Sequence, residues 1–288
     1  MCARFISGMA RSKTIFHKTQ AELALMRESN LIVSKCLAHL GTILRPGITG
    51  FELDRAAEEF IRDHGAVPSF KGLYGCPSSI LTSVNDCVVH GLPTAREYRE
   101  TDLVSIDVGA YLNGFHGDSA YTYAFQGVDE DSMDVLEATN QALYVGIEKA
   151  QVGNRVGEVS YAIQRFIERE CGYAIVRELS GHGIGREFHE APEVPNYGKR
   201  NDGPIMKPGL VIAIEPMVNT KTRHIRTSPD KWSIMAKDGK ATAHFEHSVA
   251  VTREGPWVLS DHSYVEEAVR GNEWLHEPVA REVLEEEV

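Results

Sequence analysis

The chain repeats itself, and the repeat limits its fold more than any other feature. Gly47, Glu52, Ala56, Phe60 and Ile61 return 106 residues later as Gly153, Glu158, Ala162, Phe166 and Ile167. The apolar run Leu103-Val104-Ser105-Ile106-Asp107 is answered at an offset of 108 by Val211-Ile212-Ala213-Ile214-Glu215. Amphipathic helices precede each run. Thr19-Gln20-Ala21-Glu22 has the pattern of a capping box, and an apolar stripe follows at Leu23, Met26, Val33, Leu37 and Leu40. Asn30 interrupts that stripe, and Gly41 is placed to end the helix. Thr49-Gly50-Phe51-Glu52 is a second capping box, opening a helix that Gly65 closes. In the second half, Asp131 or Ser132 is placed to cap a helix carrying Leu136, Leu143, Ile147 and Ala150, ended by Gly153. A further helix with Val159 and Ile163 ends at Gly172. Each half therefore reads helix, helix, then an apolar strand closed by an acid. Two such halves facing each other would bring Asp107 and Glu215 to a shared centre.

More acids and histidines fall near that centre. Asn113-Gly114 is a two-residue hairpin signal inside the strand-like stretch Leu103 to Phe125. With those residues as the turn, Asp118 lies opposite Gly109 and Asp107 opposite Ala120. The two carboxylates then project from one face as diagonal neighbours, roughly 7–8 Å apart at the backbone. That face is either solvated or held together by a cation, because unpaired buried carboxylates are costly. Glu215-Pro216 ends a buried strand, at a working centre or at an edge in water. Thr242 to Thr252 reads as one strand with Glu246 on the face of Thr242, His244 and Ser248. His182 sits in Gly181-His182-Gly183-Ile184-Gly185, a backbone thin enough to approach another molecule closely, or a plain loop histidine.

Charge and cysteine usage narrow the class. A net charge of −11 argues against a nucleic-acid partner, which needs a basic surface. No 18-residue apolar run or signal-peptide core is present, which argues against a membrane. Arg4, Arg11, Lys13 and Lys18 precede the first acid, Glu22, so the start is a solvated terminus or a short organelle presequence. Cys2, Cys36, Cys76, Cys87 and Cys171 form an odd, scattered set with no C-x-x-C pair, which fits a reducing compartment.

Seven segments, taken together, resemble the type I methionine aminopeptidase family. They are Asn85-Asp86-Cys87-Val88-Val89-His90-Gly91-Leu92-Pro93, Ile106-Asp107-Val108-Gly109, Gly114-Phe115-His116-Gly117-Asp118, Gly181 to Gly185, Phe188-His189-Glu190, Ile214-Glu215-Pro216-Met217 and Phe245-Glu246-His247-Ser248. The resemblance runs from about Lys18 to Arg253. It implies an α+β pita-bread fold, two pseudo-symmetric α/β halves around a curved antiparallel sheet. Residues 18–256 would form that domain, with 1–17 as an N-terminal and 257–288 as an acidic C-terminal extension.

The resemblance also implies a chemistry: removal of the N-terminal methionine from nascent chains when the second residue is small, by water activated between two divalent ions. Its ligand positions fall on Asp107, Asp118, His182, Glu215 and Glu246. Asp118 and Glu246 would bridge both ions, Asp107 would hold one, and His182 with Glu215 the other. Cobalt, manganese, iron and zinc all suit that donor set. Glu215 would also shuttle the proton, His189 stabilise the developing charge and His90 guide the leaving amide. The methionine pocket would be lined by Phe70, Cys76, Leu81, Phe188 and Trp232, although Phe70 and Phe188 also suit ordinary core packing. The commonest bacterial pattern has tyrosine at Cys76 and cysteine at Leu81. Further implications are a cytoplasmic monomer meeting its substrates as nascent chains, at the ribosome for instance, and trimming of its own Met1 before Cys2. Three rival readings fit the sequence less well. Prolidases and aminopeptidase P carry an extra N-terminal domain, whereas this chain reaches its first helix by Thr19. Type II enzymes carry a late insertion, whereas 25 residues separate His189 from Glu215. Peptide-binding or metal-free relatives lose ligands that this chain keeps.

Overall fold

The computed structural model describes residues 14–278. The presequence reading, the Met1-Cys2 pair and the acidic Glu285-Glu286-Glu287 end lie outside these residues. Two helices open each half: α1 (Gln20–Ile43) and α2 (Gly50–Asp63), then α3 (Glu130–Ile147) and α4 (Val156–Arg165). The first half carries β1 (Val67–Pro68), β2 (Ile80–Val84), β3 (Cys87–Val89), β4 (Leu103–Leu112) and β5 (Phe115–Ala124). The second carries β6 (Ala174–Ile175), β7 (Ser180–Gly183), β8 (Glu190–Pro195), β9 (Val211–Ile214) and β10 (Met217–Asn219). It continues with β11 (Ile225–Thr227), β12 (Ile234–Ala236), β13 (Thr242–His244), β14 (His247–Thr252), β15 (Gly255–Val258) and helix α5 (Ser263–Arg270).

The halves share a plan. Central strand β4 lies between β2 and β5, and central strand β9 lies between β7 and β14, all antiparallel. Helices α1 and α2 pack on the first set, α3 and α4 on the second. Gly47 and Gly153, which head the sequence repeat, both take left-handed backbone (φ 87° and 92°) just ahead of their helices, as glycine allows. One apolar core runs through both halves, including Leu37, Tyr123, Leu143, Ile163, Ile212 and Phe245.

Both threonine capping boxes form, each with the side chain accepting from the third residue on and the glutamate reaching back. Other boundaries differ from expectation. Helix α1 runs through Gly41 and is capped at Leu44. A Cβ on Gly41 would stand 3.2 Å from the Tyr123 ring, so this glycine lets helix and sheet pack closely and does not end the helix. The cap of α3 is Asp129, whose side chain accepts from the Ser132 amide, and Ala150 lies past that helix's end. The stretch Thr242–Thr252 is two strands: β13 pairs with β10 and β14 with β9, parting at Phe245-Glu246. Its partner chain parts at Glu215-Pro216, where proline supplies no amide to a ladder. The glycines of Gly181-His182-Gly183 serve neighbouring strands: a Cβ on Gly181 would lie 2.3 Å from the Ala213 carbonyl, and one on Gly183 2.3 Å from that of Ala191.

A boundary at 256 falls inside β15, which pairs with β14. The following segment is bound to the body: the Arg27 guanidinium donates to the carbonyls of Val258 and Ser260, at 3.2 and 3.1 Å, and to that of Leu259. Leu275 is buried and bridges to Phe125. At the other end, Lys18 makes a buried ion pair with Glu190 at 2.6 Å, each side chain 4% exposed. Burial pushes the Lys18 ammonium down, and Glu190 partly restores it. Glu190 also accepts from the amides of Arg186 and Glu187, so the pair anchors the loop that carries Phe188 and His189. Lys18→Met strands a buried carboxylate and is expected to cost about 3–5 kcal/mol, read as a lower denaturant midpoint at unchanged slope.

Candidate metal centre and substrate cavity

The hairpin turns at Asn113-Gly114, both at positive φ, and its register sets Asp107 opposite Ala120 and Asp118 opposite Gly109. Both acids therefore share the face predicted from the turn. Asn30, the polar break in the stripe of α1, is fully buried and accepts from the Asp118 amide at 3.3 Å. His247 pairs with Ile214, so Glu246 and Glu215 are reached one step further along each strand, where both ladders part. His182 projects from a bulged position in β7. Its Nδ1 donates to the Gly183 carbonyl at 3.0 Å, which leaves Nε2 as a lone-pair donor facing the acids. Nε2 stands 3.6 Å from both Asp118 Oδ2 and Glu215 Oε1. Ligand atoms of Asp118, His182 and Glu246 all lie within 4.8 Å of one another.

The electrostatics of this cluster call for a cation. Burial pushes the Asp107 carboxyl up to about 7. Asp118 is held well above the carboxylate range, first by burial and then by the charges of Asp107 and Glu215, and Glu246 likewise, first by burial and then by the charges of Asp118, Glu215 and Asp107. Asp107 Oδ1, Asp118 Oδ1 and Glu246 Oε1 are buried with no hydrogen-bond partner. Among the described residues no lysine or arginine pairs with these three acids. Buried oxygens without donors are costly, and four carboxylates with one imidazole are the donor set of a divalent cation. The residues fit such an ion.

This charge pattern has a pH consequence for the metal-free protein. Asp107 holds its proton to higher pH folded than unfolded, so its contribution to stability is present below 3.8 and lost as pH rises through about 7. His90 runs the other way: burial pushes it down to about 4, so its contribution is lost as pH falls from 6.5 through about 4. Above the histidine's range only the acids act. Chelator-treated protein is therefore expected to melt at progressively lower temperature as pH rises through 7, with Asp107→Asn flattening the slope.

One cavity of about 300 Å³ joins the acids to an apolar chamber. Phe70, Cys76, Leu81 and Phe188 are buried together, with Leu73, Leu92 and Trp232 packed against them. All five side chains expected to line the methionine pocket line this cavity, as do His90 and His189. His90 takes left-handed backbone, φ 59°, strain of the kind found at working sites. The His189 ring sits 4.4 Å from that of His182 and 4.9 Å from that of Phe188. Two features beside the candidate site were not expected from the sequence. Tyr74, held at φ 53° between Gly72 and Gly75, stacks on His189 and brings its hydroxyl 3.3 Å from Nδ1. Its Gly-x-x-Gly setting was the available signal. The cavity is also lined by Arg177, Glu178, Glu193 and Tyr197, which no motif marks.

Across the chain, residues 24–253 match the sequence signature of metallopeptidase family M24. The chain belongs to this family. It is 47% identical over 246 residues to methionine aminopeptidase 1 of Bacillus subtilis, covering 85% of this chain and 99% of that one. The crystal structure of methionine aminopeptidase from Rickettsia prowazekii superposes with a TM-score of 0.84 at 32% identity, over 86% of this chain and all of that one. A prolidase from Pyrococcus furiosus also aligns, with a TM-score of 0.70, 22% identity and coverage of 85% and 65%, a likeness of fold alone. The architecture is thus the pita-bread fold of M24 peptidases. Among the described residues no helix is long and apolar enough to cross a membrane.

Proposed function

We propose that this M24 metallopeptidase removes the N-terminal methionine from peptides and nascent chains whose second residue is small. The observation that carries the reading is the one cavity in which five candidate metal ligands adjoin an apolar chamber. Asp107, Asp118, His182, Glu215 and Glu246 would hold two divalent ions, cobalt, manganese, iron or zinc. When bound, the ions supply Lewis acidity and lower the pKa of water. The protein's own groups do the rest. Glu215, its side chain 14% exposed, takes the proton of the attacking water and returns it to the departing amine. His189 donates a hydrogen bond to the scissile carbonyl oxygen as negative charge builds there. His90 steers the amide nitrogen. Phe70, Cys76, Leu81, Phe188 and Trp232 enclose the methionine side chain, whose flexible thioether suits an irregular apolar wall.

We further propose that the enzyme works as a cytoplasmic monomer on chains emerging from the ribosome. The test of the activity is a competition among Met-Ala-Ser, Leu-Ala-Ser and Met-Pro peptides in the presence of divalent metal. Release of methionine from Met-Ala-Ser in preference to leucine supports the reading. Cleavage confined to Xaa-Pro dipeptides would replace it with a prolidase.

A further inference from the structure

We infer that His262 is a positioning residue for the metal centre: acting through Ser119, it fixes the backbone of Glu246 and with it the spacing of Asp118 and Glu246. This rests on the metal-site reading given above. The two acids are held by a reciprocal latch. The Ser119 hydroxyl, next to Asp118, donates to the Glu246 carbonyl at 2.6 Å. The Ser248 hydroxyl, two residues past Glu246, donates to the Asp118 carbonyl at 3.0 Å. The Glu246 amide closes the set by donating to the Ala120 carbonyl at 3.0 Å. Each acid thus has its main chain tied to the other acid's strand where β13 and β14 part, and no ladder otherwise sets the distance.

His262 stands behind this latch. Its Nε2 lies 3.0 Å from Ser119 Oγ. Ser119 has one proton, committed to Glu246, so its oxygen accepts and His262 Nε2–H donates. The line runs from imidazole to hydroxyl to carbonyl, and each bond in it sharpens the next. Ser119, Ser248 and His262 are at most 1% exposed, so no water competes. The imidazole is itself held between rings, tilted at 33° to that of His247 with centroids 3.8 Å apart and edge-on to Tyr121 at 5.1 Å. Its neighbours are pinned too: the Asp261 amide donates to Ser34 Oγ at 2.7 Å, and Ser260 Oγ lies 2.6 Å from His247 Nδ1. His262 lies beyond residues 24–253, the span of the family signature. The segment after β15 therefore buttresses the metal centre.

Groups that orient metal ligands from outside the coordination sphere are worth about 10- to 100-fold in metal affinity. Calorimetric titration of manganese(II) into chelator-stripped full-length protein tests the inference on the wild type, His262→Leu, His262→Gln and Ser119→Ala. His262→Leu and Ser119→Ala are expected to weaken manganese about 10- to 100-fold. His262→Gln keeps an N–H donor near the Nε2 position and is expected to bind close to wild type. Folded His262→Leu or Ser119→Ala protein that binds manganese as tightly as wild type overturns the inference. Loss of affinity that glutamine does not recover overturns it as well, since bulk and not the donor would then be at work. Should His262→Leu fail to fold, Ser119→Ala carries the same expectation alone. Wild-type protein that takes up no manganese overturns the metal-site reading and the inference with it, a result distinct from the others.

Discussion

Asp107→Ala is expected to lower kcat/KM for a methionyl peptide by about 10³-fold or more, because a metal's share of such a barrier is several kcal/mol at about 1.4 kcal/mol per factor of ten. The same change should strengthen the metal-free fold. Asp107 carries a buried carboxyl pushed up to about 7, with one oxygen lacking any partner, and alanine removes that burden. Two melting curves per protein show both effects. The apoprotein midpoint should rise in the variant above neutrality, and the gain from added divalent ion should shrink or vanish. A purely structural Asp107 would behave in the opposite way, with a lower apoprotein midpoint and an intact metal response. The joint sign of the two shifts is therefore more telling than the loss of activity.

His189→Ala is expected to lower kcat by about 10²- to 10³-fold, the usual cost of removing one donor to a developing oxyanion. KM should change little, and metal content should stay that of the wild type. His189 shares the cavity with the acids and packs against the rings of His182, Phe188 and Tyr74. The contrast with Asp107→Ala separates a substrate contact from a ligand. His189→Asn, which keeps an N–H donor, should recover part of the rate. Metal loss in His189→Ala would instead move this histidine into the metal shell.

Much of the fold was legible because its signals are local. Thr19 and Thr49 each meet a glutamate three residues on, and a capping box is decided within one turn. Asn113-Gly114 fixed the hairpin turn, and the turn fixed which residues face each other over the whole of β4 and β5. The repeat set Asp107 and Glu215 at matching places in sequence, yet Asp107 falls in the middle of β4 and Glu215 one residue past β9. Long-range features were harder to read. That Thr242–Thr252 breaks at Phe245-Glu246 depends on two partner strands, β9 and β10, that themselves part at Pro216. Gly41 looks like a helix end in sequence, but its role is set by Tyr123, 82 positions away in the chain. Asp129 outcompeted Asp131 and Ser132 as a cap, a difference of register that composition does not resolve. The Lys18–Glu190 pair and the Ser119–His262 line join residues more than 140 apart and leave no periodic trace.

The candidate site shows the same division. Which residue types gather was readable from their motifs, whereas how they are held was not. His182 faces the acids because Gly183 takes its other nitrogen, and Asp118 is steadied by Asn30, which in sequence is only a flaw in an apolar stripe. The departures at Cys76 and Leu81 leave the chamber apolar, since both side chains are buried in it.

The central claim is that these buried acids and one imidazole form a centre for divalent metal on which peptide cleavage depends. Its most direct test is a titration of metal into chelator-stripped protein near neutral pH, with binding heat and methionine release from Met-Ala-Ser followed on the same samples. No release is expected without metal, and release should rise in step with occupancy of the site. Full activity in the stripped protein, or metal uptake that Asp107→Ala leaves unchanged, would contradict it.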